Sequence, residues 1–320
     1  MTMSDIADRR RIRRKLTFWR VSAFILIALV IVSVWIGANG GALSDDRQSP
    51  HIARISISGL IQDDVELLER INKIAANDNA KALIVSISSP GGTTYGGEAI
   101  YKAIRKVGEK KPVISDVRTL AASAGYMIAI AGDHIVAGET SITGSIGVIY
   151  QYPQVKGLLD KLGVSLEEIK SAPLKAEPSP FHPASEEAKG AVQAMVLDSY
   201  DWFVSIVAER RKLDRPKALT LADGRVYTGR QALSAGLVDS LGGMEAIKSY
   251  LKERKVDPDL AILDWAAPRT STPFLFGSVA KQVLDSLGLS WLASSSAIEN
   301  LKEDKLLLDG LVSVWQVEGR

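Results

Sequence analysis

From residue 51 onward, two hydrophobic periods take turns along the chain. Ile52–Ser58 reads IARISIS, apolar at alternate positions, and predicts a strand. Val65–Ala76 follows with Val65, Leu68, Ile71 and Ile74–Ala75 at helical spacing. Lys81–Ser88 (KALIVSIS) is a short β-branched apolar run and predicts a buried strand. Gly96–Val107 is helical, Val113–Val117 is again a strand, and Ala121–Ala131 reads as a helix of small residues. Glu186–Lys212 predicts a longer helix with Val192, Met195, Val196, Tyr200, Phe203 and Ile206–Val207 on one face. Turns at Asp223-Gly224-Arg225 and Thr228-Gly229-Arg230 precede a short helix. Leu237–Leu241 reads as a strand turning at Gly242-Gly243 into the helix Met244–Glu253. Strands separated by helices of this length predict an α/β fold of βαβ units around a largely parallel sheet.

One apolar run has neither period. Between Arg20 and Asp45 no charge occurs, and Val21–Gly37 reads VSAFILIALVIVSVWIG. With the residues before it, this run supplies the roughly 20 positions needed to cross a hydrocarbon core of about 30 Å. Residues 1–20 carry seven Arg or Lys against Asp5 and Asp8, a balance of +5, which leaves −3 for the rest of a chain whose net charge is +2. That asymmetry predicts a cytoplasmic N-terminus with the remainder across the membrane. A cleaved leader would have a shorter apolar core and a small-x-small site, and Gly37-Ala38-Asn39 and Gly41-Ala42-Leu43 match one poorly. The expected organisation is a basic tail over 1–17, a transmembrane helix over 18–37 and a linker over 38–50. The main domain covers 51–255. An extension over 256–320 follows, with Trp265, Trp291 and Trp315, and it packs on the domain, on another subunit or on the membrane surface.

The acidic balance of the body argues against a nucleic-acid partner, which would call for a basic folded surface. The chain has no cysteine, so disulfides, thiolate nucleophiles and thiolate zinc sites are excluded. With only His51, His134 and His182, a histidine-rich metal site is not expected. No cofactor or metal is implied.

Four segments gather hydroxyls and small residues where strands turn into helices. Ser89-Pro90-Gly91-Gly92 follows a buried strand and reads either as a plain tight turn or as a place where backbone N–H groups approach a ligand. In Leu120-Ala121-Ala122-Ser123-Ala124-Gly125-Tyr126, Ser123 either caps a helix or faces a substrate carbonyl. Thr143-Gly144-Ser145-Ile146-Gly147 is a hydroxyl-bearing turn. Lys170–Ala176 places Lys175 among apolar neighbours before Glu177, although most lysines are solvated surface groups.

The run LAASAGYMIAIAGDHIVAGETSITGSIGVI (120–149) closely resembles the signature of the signal peptide peptidase A family of serine peptidases. SSPGG (88–92), IKSAPLKAEPSPF (169–181) and DGRVYTGRQALSAGLVDSLGG (223–243) resemble further family blocks in the same order. The resemblance covers about 51–255. It implies the Clp protease/crotonase type of α/β spiral, with Ser123 as nucleophile and Lys175 as its general base. Ser145 would orient the lysine, and backbone N–H groups of Gly91, Gly92 and Ala124 would form an oxyanion hole. Many relatives read Ser-Gly-Gly where this chain has Ser123-Ala124-Gly125. The resemblance further implies a homo-oligomeric ring whose neighbouring subunits share the dyad. The expected substrates are apolar peptides, chiefly signal peptides left in the bilayer, and the expected location is a bacterial inner membrane with the catalytic domain on the extracytoplasmic side. The N-terminal helix would contact lipid.

Such a dyad makes a physical demand. A free lysine titrates near 10.4, so under about 0.1% is neutral at pH 7, and base catalysis wants a shift of roughly 3 units. Burial among apolar groups with no facing carboxylate supplies that, so Glu177 must point away from Lys175. Two rival readings are a membrane scaffold of the same fold that has lost catalysis and an acyl-CoA enzyme of the crotonase type. Retention of Ser123 and Lys175 counts against the first, and a cationic tail with a membrane span has no use in the second.

Overall fold

The computed structural model describes residues 15–28, 46–266 and 312–314. Residues 15–28 form a helix whose Phe18, Trp19, Phe24, Ile25 and Leu26 are exposed. Among the described residues no helix is long and apolar enough to cross a membrane. The expected span, 18–37, is described only as far as residue 28. The basic tail to residue 14, Trp291 and Trp315 lie outside the described residues.

The main unit is an α/β domain built on strands His51–Ile61 (β1), Ala80–Thr93 (β2) and Val113–Ala122 (β3), paired in parallel in the order 1-2-3. Val65–Ala76 (α1) and Thr94–Gly108 (α2) make the crossovers. Asp64 accepts the Leu67 N–H at 2.8 Å and Thr93 accepts the Gly96 N–H at 3.1 Å, so each helix starts at a side-chain cap. After β3 come Ala124–Ala129 (α3), His134–Ala137 (β4) and Ile142–Gly144 (β5). The first half of β3 pairs with β4 and its end with β5, both parallel, so the sheet divides there. Lys156–Leu162 (α4), Glu186–Arg211 (α5) and Arg215–Leu221 (α6) follow, then Val226–Thr228 (β6), Gly229–Ala235 (α7), Ser240–Leu241 (β7), Met244–Glu253 (α8) and Ile262–Asp264 (β8). β6 runs antiparallel to β5, so the sheet is mixed, and β8 covers the free edge of β1. Val312–Val314 (β9) pairs antiparallel with the end of β2.

The strands are apolar on both faces because helices cover both. Leu83, Val85 and Ile87 pack with Leu67, Ile71, Ile100, Ile104 and Phe203, while Ile52, Ile84, Ile114 and Val136 meet Ile247 and Leu251 of α8. Each such fully buried aliphatic side chain contributes about 1.5–3 kcal/mol. Two of the histidines have clear local roles. His51 Nδ1 is 2.8 Å from the Ser49 carbonyl, and His134 stacks on Tyr250 with Nε2 2.9 Å from Ser240 Oγ.

Three sequence expectations are revised. The turn expected at Ser89–Gly92 continues as strand, through a register shift between Ser58 and Leu60. Gly92 permits this, because a Cβ there would lie 1.9 Å from the Ile61 carbonyl oxygen. The helix expected from Ala121 starts at Ala124, since pairing with β5 holds Ala121 and Ala122 in β3. α5 has the expected length, but its burial begins in earnest only at Phe203, and Met195 and Leu197 are exposed.

Candidate active site

Ser123 is the single residue between β3 and α3. Its N–H donates to the Gly144 carbonyl at 2.8 Å, completing the β3–β5 ladder, and its carbonyl accepts the Met127 N–H at 2.9 Å, opening the helix. Held from both sides, it takes φ 57°, ψ −120°, a conformation that costs a residue with a Cβ about 1–3 kcal/mol. Its hydroxyl makes no capping bond to α3, so the cap reading of this serine does not hold. The residue is 2% exposed. A strained serine on a sharp strand-to-helix turn is the arrangement that presents a nucleophilic oxygen at the end of a sheet.

Small neighbours make that turn possible. Gly125 lies so close to β2 that a Cβ would come within 2.8 Å of the Ser89 carbonyl oxygen. Ala124 is fully buried, and its methyl is only 3.1 Å from where a Cβ on Gly97 of α2 would stand. The alanine that replaces a glycine in this motif is therefore accommodated over Gly97. On the far side, the Tyr126 hydroxyl donates to the Leu237 carbonyl at 2.8 Å and ties α3 to the segment before β7. Burial pushes the Tyr126 phenol up, so it stays a neutral donor.

Ser145 follows β5 as Ser123 follows β3. It is 8% exposed, has φ 52°, and donates its N–H to the Arg225 carbonyl at 2.7 Å. Ala122 pairs with Gly144, so the structure brings Ser123 and Ser145 out of adjacent strands at matching positions.

Gly91 and Gly92 close another side of the site, linked to β3 by the pairing of Ser89 with Ala121. The Gly91 N–H is already engaged by Ser89 Oγ at 3.1 Å, and that hydroxyl in turn donates to the Gly59 carbonyl at 2.7 Å. The sequence marks Ser89 as the start of a Gly-rich segment but gives its hydroxyl no task, because one more serine in a Ser-rich run has no distinguishing signal; in the structure that buried hydroxyl fixes the strand end. Gly91–Thr93 pairs with β9, and Ile149 exchanges hydrogen bonds with Val312 in both directions, at 2.9 and 3.1 Å. An extended segment thus lies antiparallel along the end of β2.

Lys175 is not joined to Ser123 within the chain. It lies on an exposed turn over 171–176, and its ammonium makes no hydrogen bond or ion pair to a described residue. The apolar surroundings that the dyad demands are absent here too: Leu158, Leu162, Leu166, Ile169 and Leu174 are all exposed, Ile169 completely at 106%. Glu177 does turn away from Lys175. Its carboxylate meets Lys170 Nζ at 2.5 Å, His182 Nε2 at 3.2 Å and the Ser179 N–H at 3.1 Å. Glu168 joins the group, 2.5 Å from the same ammonium. Hydrogen bonds from Lys170 hold both carboxyls below the usual carboxylate range. Glu168, Glu177 and His182 present ligand atoms within 4.8 Å of one another, a spacing that could hold a metal, but the Lys170 ammonium already fills that role.

Comparison with known proteins places the chain among peptidases. The model of peptidase family S49 matches residues 105–257, and that of the Clp protease family matches 51–141. An Enterococcus faecium protein named as signal peptide peptidase SppA is 33% identical over 270 residues, 80% of this chain and 78% of that one. A Synechocystis protein named as a protease, slr0021, is 38% identical over 244 residues, 75% of this chain and 88% of its own. Protease 4 of Haemophilus influenzae is 30% identical over 253 residues, 76% of this chain and 41% of the relative. Among solved structures, a point mutant of the membrane-bound stomatin-specific protease 1510-N aligns over 69% of this chain and 99% of its own, with 18% identity and a TM-score of 0.45.

Proposed function

The chain belongs to peptidase family S49, and from that membership we propose that it is a membrane-anchored serine endopeptidase using Ser123 and Lys175 on apolar peptides. The observation that carries the reading is the Ser123 turn, a buried serine in a strained conformation with no capping task. In the reaction, neutral Lys175 Nζ takes the Ser123 proton as Oγ attacks the scissile carbonyl carbon. The carbonyl oxygen becomes an oxyanion facing backbone N–H groups at Gly92 and Ala124. Collapse breaks the C–N bond, and the lysine ammonium gives its proton to the departing amine. Water then attacks the acyl carbon as Lys175 accepts its proton, and collapse breaks the ester C–Oγ bond, releases the new carboxyl end and returns that proton to Ser123 Oγ. Ser145 holds the amine by a hydrogen bond without restoring its charge.

Because Lys175 is exposed in one chain, the reading includes a second copy that brings its lysine to this Ser123, in a homo-oligomeric ring. The uncovered apolar side chains Leu158, Leu162, Leu166, Ile169 and Leu174 on the lysine-bearing segment support such a contact, which would also desolvate the amine. The antiparallel seat of β9 at the end of β2 supports an extended peptide as substrate. We extend the reading to signal peptides left in the bilayer, with the 18–37 span as the anchor in a bacterial inner membrane and the main domain on its outer side.

The test is cleavage of an apolar peptide by detergent-solubilised protein. Ser123→Ala and Lys175→Ala each abolish turnover with oligomer size unchanged. Mixing the two inactive variants restores part of the activity if neighbouring copies share the dyad. Full turnover in either single variant refutes the role given to that residue.

A further inference from the structure

Lys175 lies within the loop Ser171–Ala176, and the residues bounding that loop, Lys170 and Glu177, are bonded to each other at 2.5 Å. We propose that Lys170 and Glu177 form a clasp that positions the Lys175 loop and offsets part of the carboxylate charge that would otherwise act on the Lys175 amine. The proposal rests on Lys175 being the base.

The clasp is more than one exposed ion pair. The Glu177 side chain is 7% exposed, and both its oxygens are used: Oε1 by Lys170 and His182, Oε2 by the Ser179 N–H at 3.1 Å. Lys170 also bonds Glu168 at 2.5 Å, and Glu168 in turn lies 3.4 Å from His182 Nε2 and 3.5 Å from Ser179 Oγ. The loop adds two backbone bonds of its own, Lys175 N–H to the Ala172 carbonyl at 3.1 Å and Glu177 N–H to the Leu174 carbonyl at 3.3 Å. A loop fixed at both ends and braced inside holds its lysine at lower entropic cost than a free one.

The electrostatic consequence has a sign. Two carboxylates, Glu168 and Glu177, surround one ammonium, so the cluster at the foot of the Lys175 loop has a net charge of −1, not counting the His182 imidazole that touches both carboxylates. Loss of Lys170 doubles that charge and favours the Lys175 ammonium. Loss of the Glu177 charge removes it and favours the neutral amine. Lys170 and Glu177 are thus positioning residues whose substitutions displace the base in opposite directions.

The experiment is the pH dependence of kcat/KM on an apolar peptide at low ionic strength, in full-length protein. Lys170→Met moves the acid limb up by about half a pH unit and Glu177→Gln moves it down by a similar amount. Lys170→Arg keeps the wild-type limb, and added salt shrinks both shifts. Repeating the series with His182→Gln takes the imidazole, 3.2 Å from Glu177 and 3.4 Å from Glu168, out of the cluster. Limbs that stay fixed, or that move the same way in both variants while melting temperatures fall, overturn the proposal in favour of a purely structural brace. Lys175→Ala separates the two levels. If it is inactive while the limbs stay fixed, the clasp fails and the dyad stands. If it turns over normally, the dyad fails and the clasp with it.

Discussion

Ser123 and Ser145 each stand one residue beyond a paired position, Ala122 opposite Gly144, and both leave their strands at positive φ, 57° and 52°. Each is pinned through its own N–H, Ser123 to Gly144 and Ser145 to Arg225. The sheet therefore sets the spacing between the two residues, and neither serine relies on a flexible loop. This rigidity suits the roles proposed for them, a nucleophile and the group that orients its base.

The strain at Ser123 makes activity and stability separable. Ser123→Ala should leave stability within about 0.5 kcal/mol of wild type, because alanine meets the same φ penalty. Ser123→Gly should raise it by about 1 kcal/mol by relieving that penalty. Both should be inactive. Urea unfolding of the two variants checks this, and a glycine variant less stable than the alanine one would contradict the strain.

At Ser145 the backbone does the structural work, so Ser145→Ala should fold with wild-type stability. Its expected effect is a fall in kcat of about 10- to 100-fold with KM nearly unchanged, as befits a group that orients the base. Steady-state kinetics beside a thermal melt separates this from a packing defect, which would lower both.

Much of this geometry is visible in the residue pattern, and its gaps have physical causes. Helix α1 has the bounds its apolar spacing predicts, Val65–Ala76, because its stripe and Asp64 cap agree. The pattern misleads at the end of β2, because Pro90-Gly91-Gly92 signals a turn, whereas pairing with Leu60 and Ile61 carries the strand on. Ser123 resembles an ordinary cap in sequence, since its φ follows from the β3–β5 ladder and not from its neighbours. The surroundings of Lys175 are illegible for another reason. Residues 171–176 are an exposed turn with no helical or strand period, and cover by a second copy, as proposed above, would add none to the sequence of one chain. The Lys170–Glu177 pair closes across a loop and not along a helix face, so its spacing of seven residues announces nothing.

Acid stability should depend on Asp239. Burial would push its carboxyl up, but hydrogen bonds from Arg211 at 2.7 and 3.0 Å, the Arg211 charge and the Ile135 N–H at 2.8 Å hold it below the ordinary value. A depressed folded pKa contributes stability above the unfolded value near 3.9, and that contribution disappears as pH falls through the folded one. Asp239→Asn should cost about 1–2 kcal/mol at pH 7, a figure reduced for the partial exposure of the pair. The gap to wild type should close below about pH 4. Denaturant unfolding at pH 7 and pH 3 measures both ends, and an equal deficit at the two values would remove the carboxylate from the account.

The end of β2 should also govern how tightly peptides bind. Gly91–Thr93 and Ile149 pair with Val312–Val314, and Val312 is buried at 6% exposure. An incoming extended peptide would use the same main-chain groups, because strand addition reads backbone donors and acceptors before side chains. The chain's own strand then competes with substrate, and the apparent affinity falls by the fraction of time the edge is vacant. If that fraction is roughly a tenth to a third, deleting residues 310–320 should lower KM for short apolar peptides about three- to tenfold and leave kcat unchanged. A synthetic peptide of sequence GLVSVWQ, residues 310–316, should then inhibit the truncated protein competitively and the full-length protein more weakly. Unchanged KM together with no inhibition by the peptide would mean that β9 is a fixed part of the sheet and that substrate binds elsewhere.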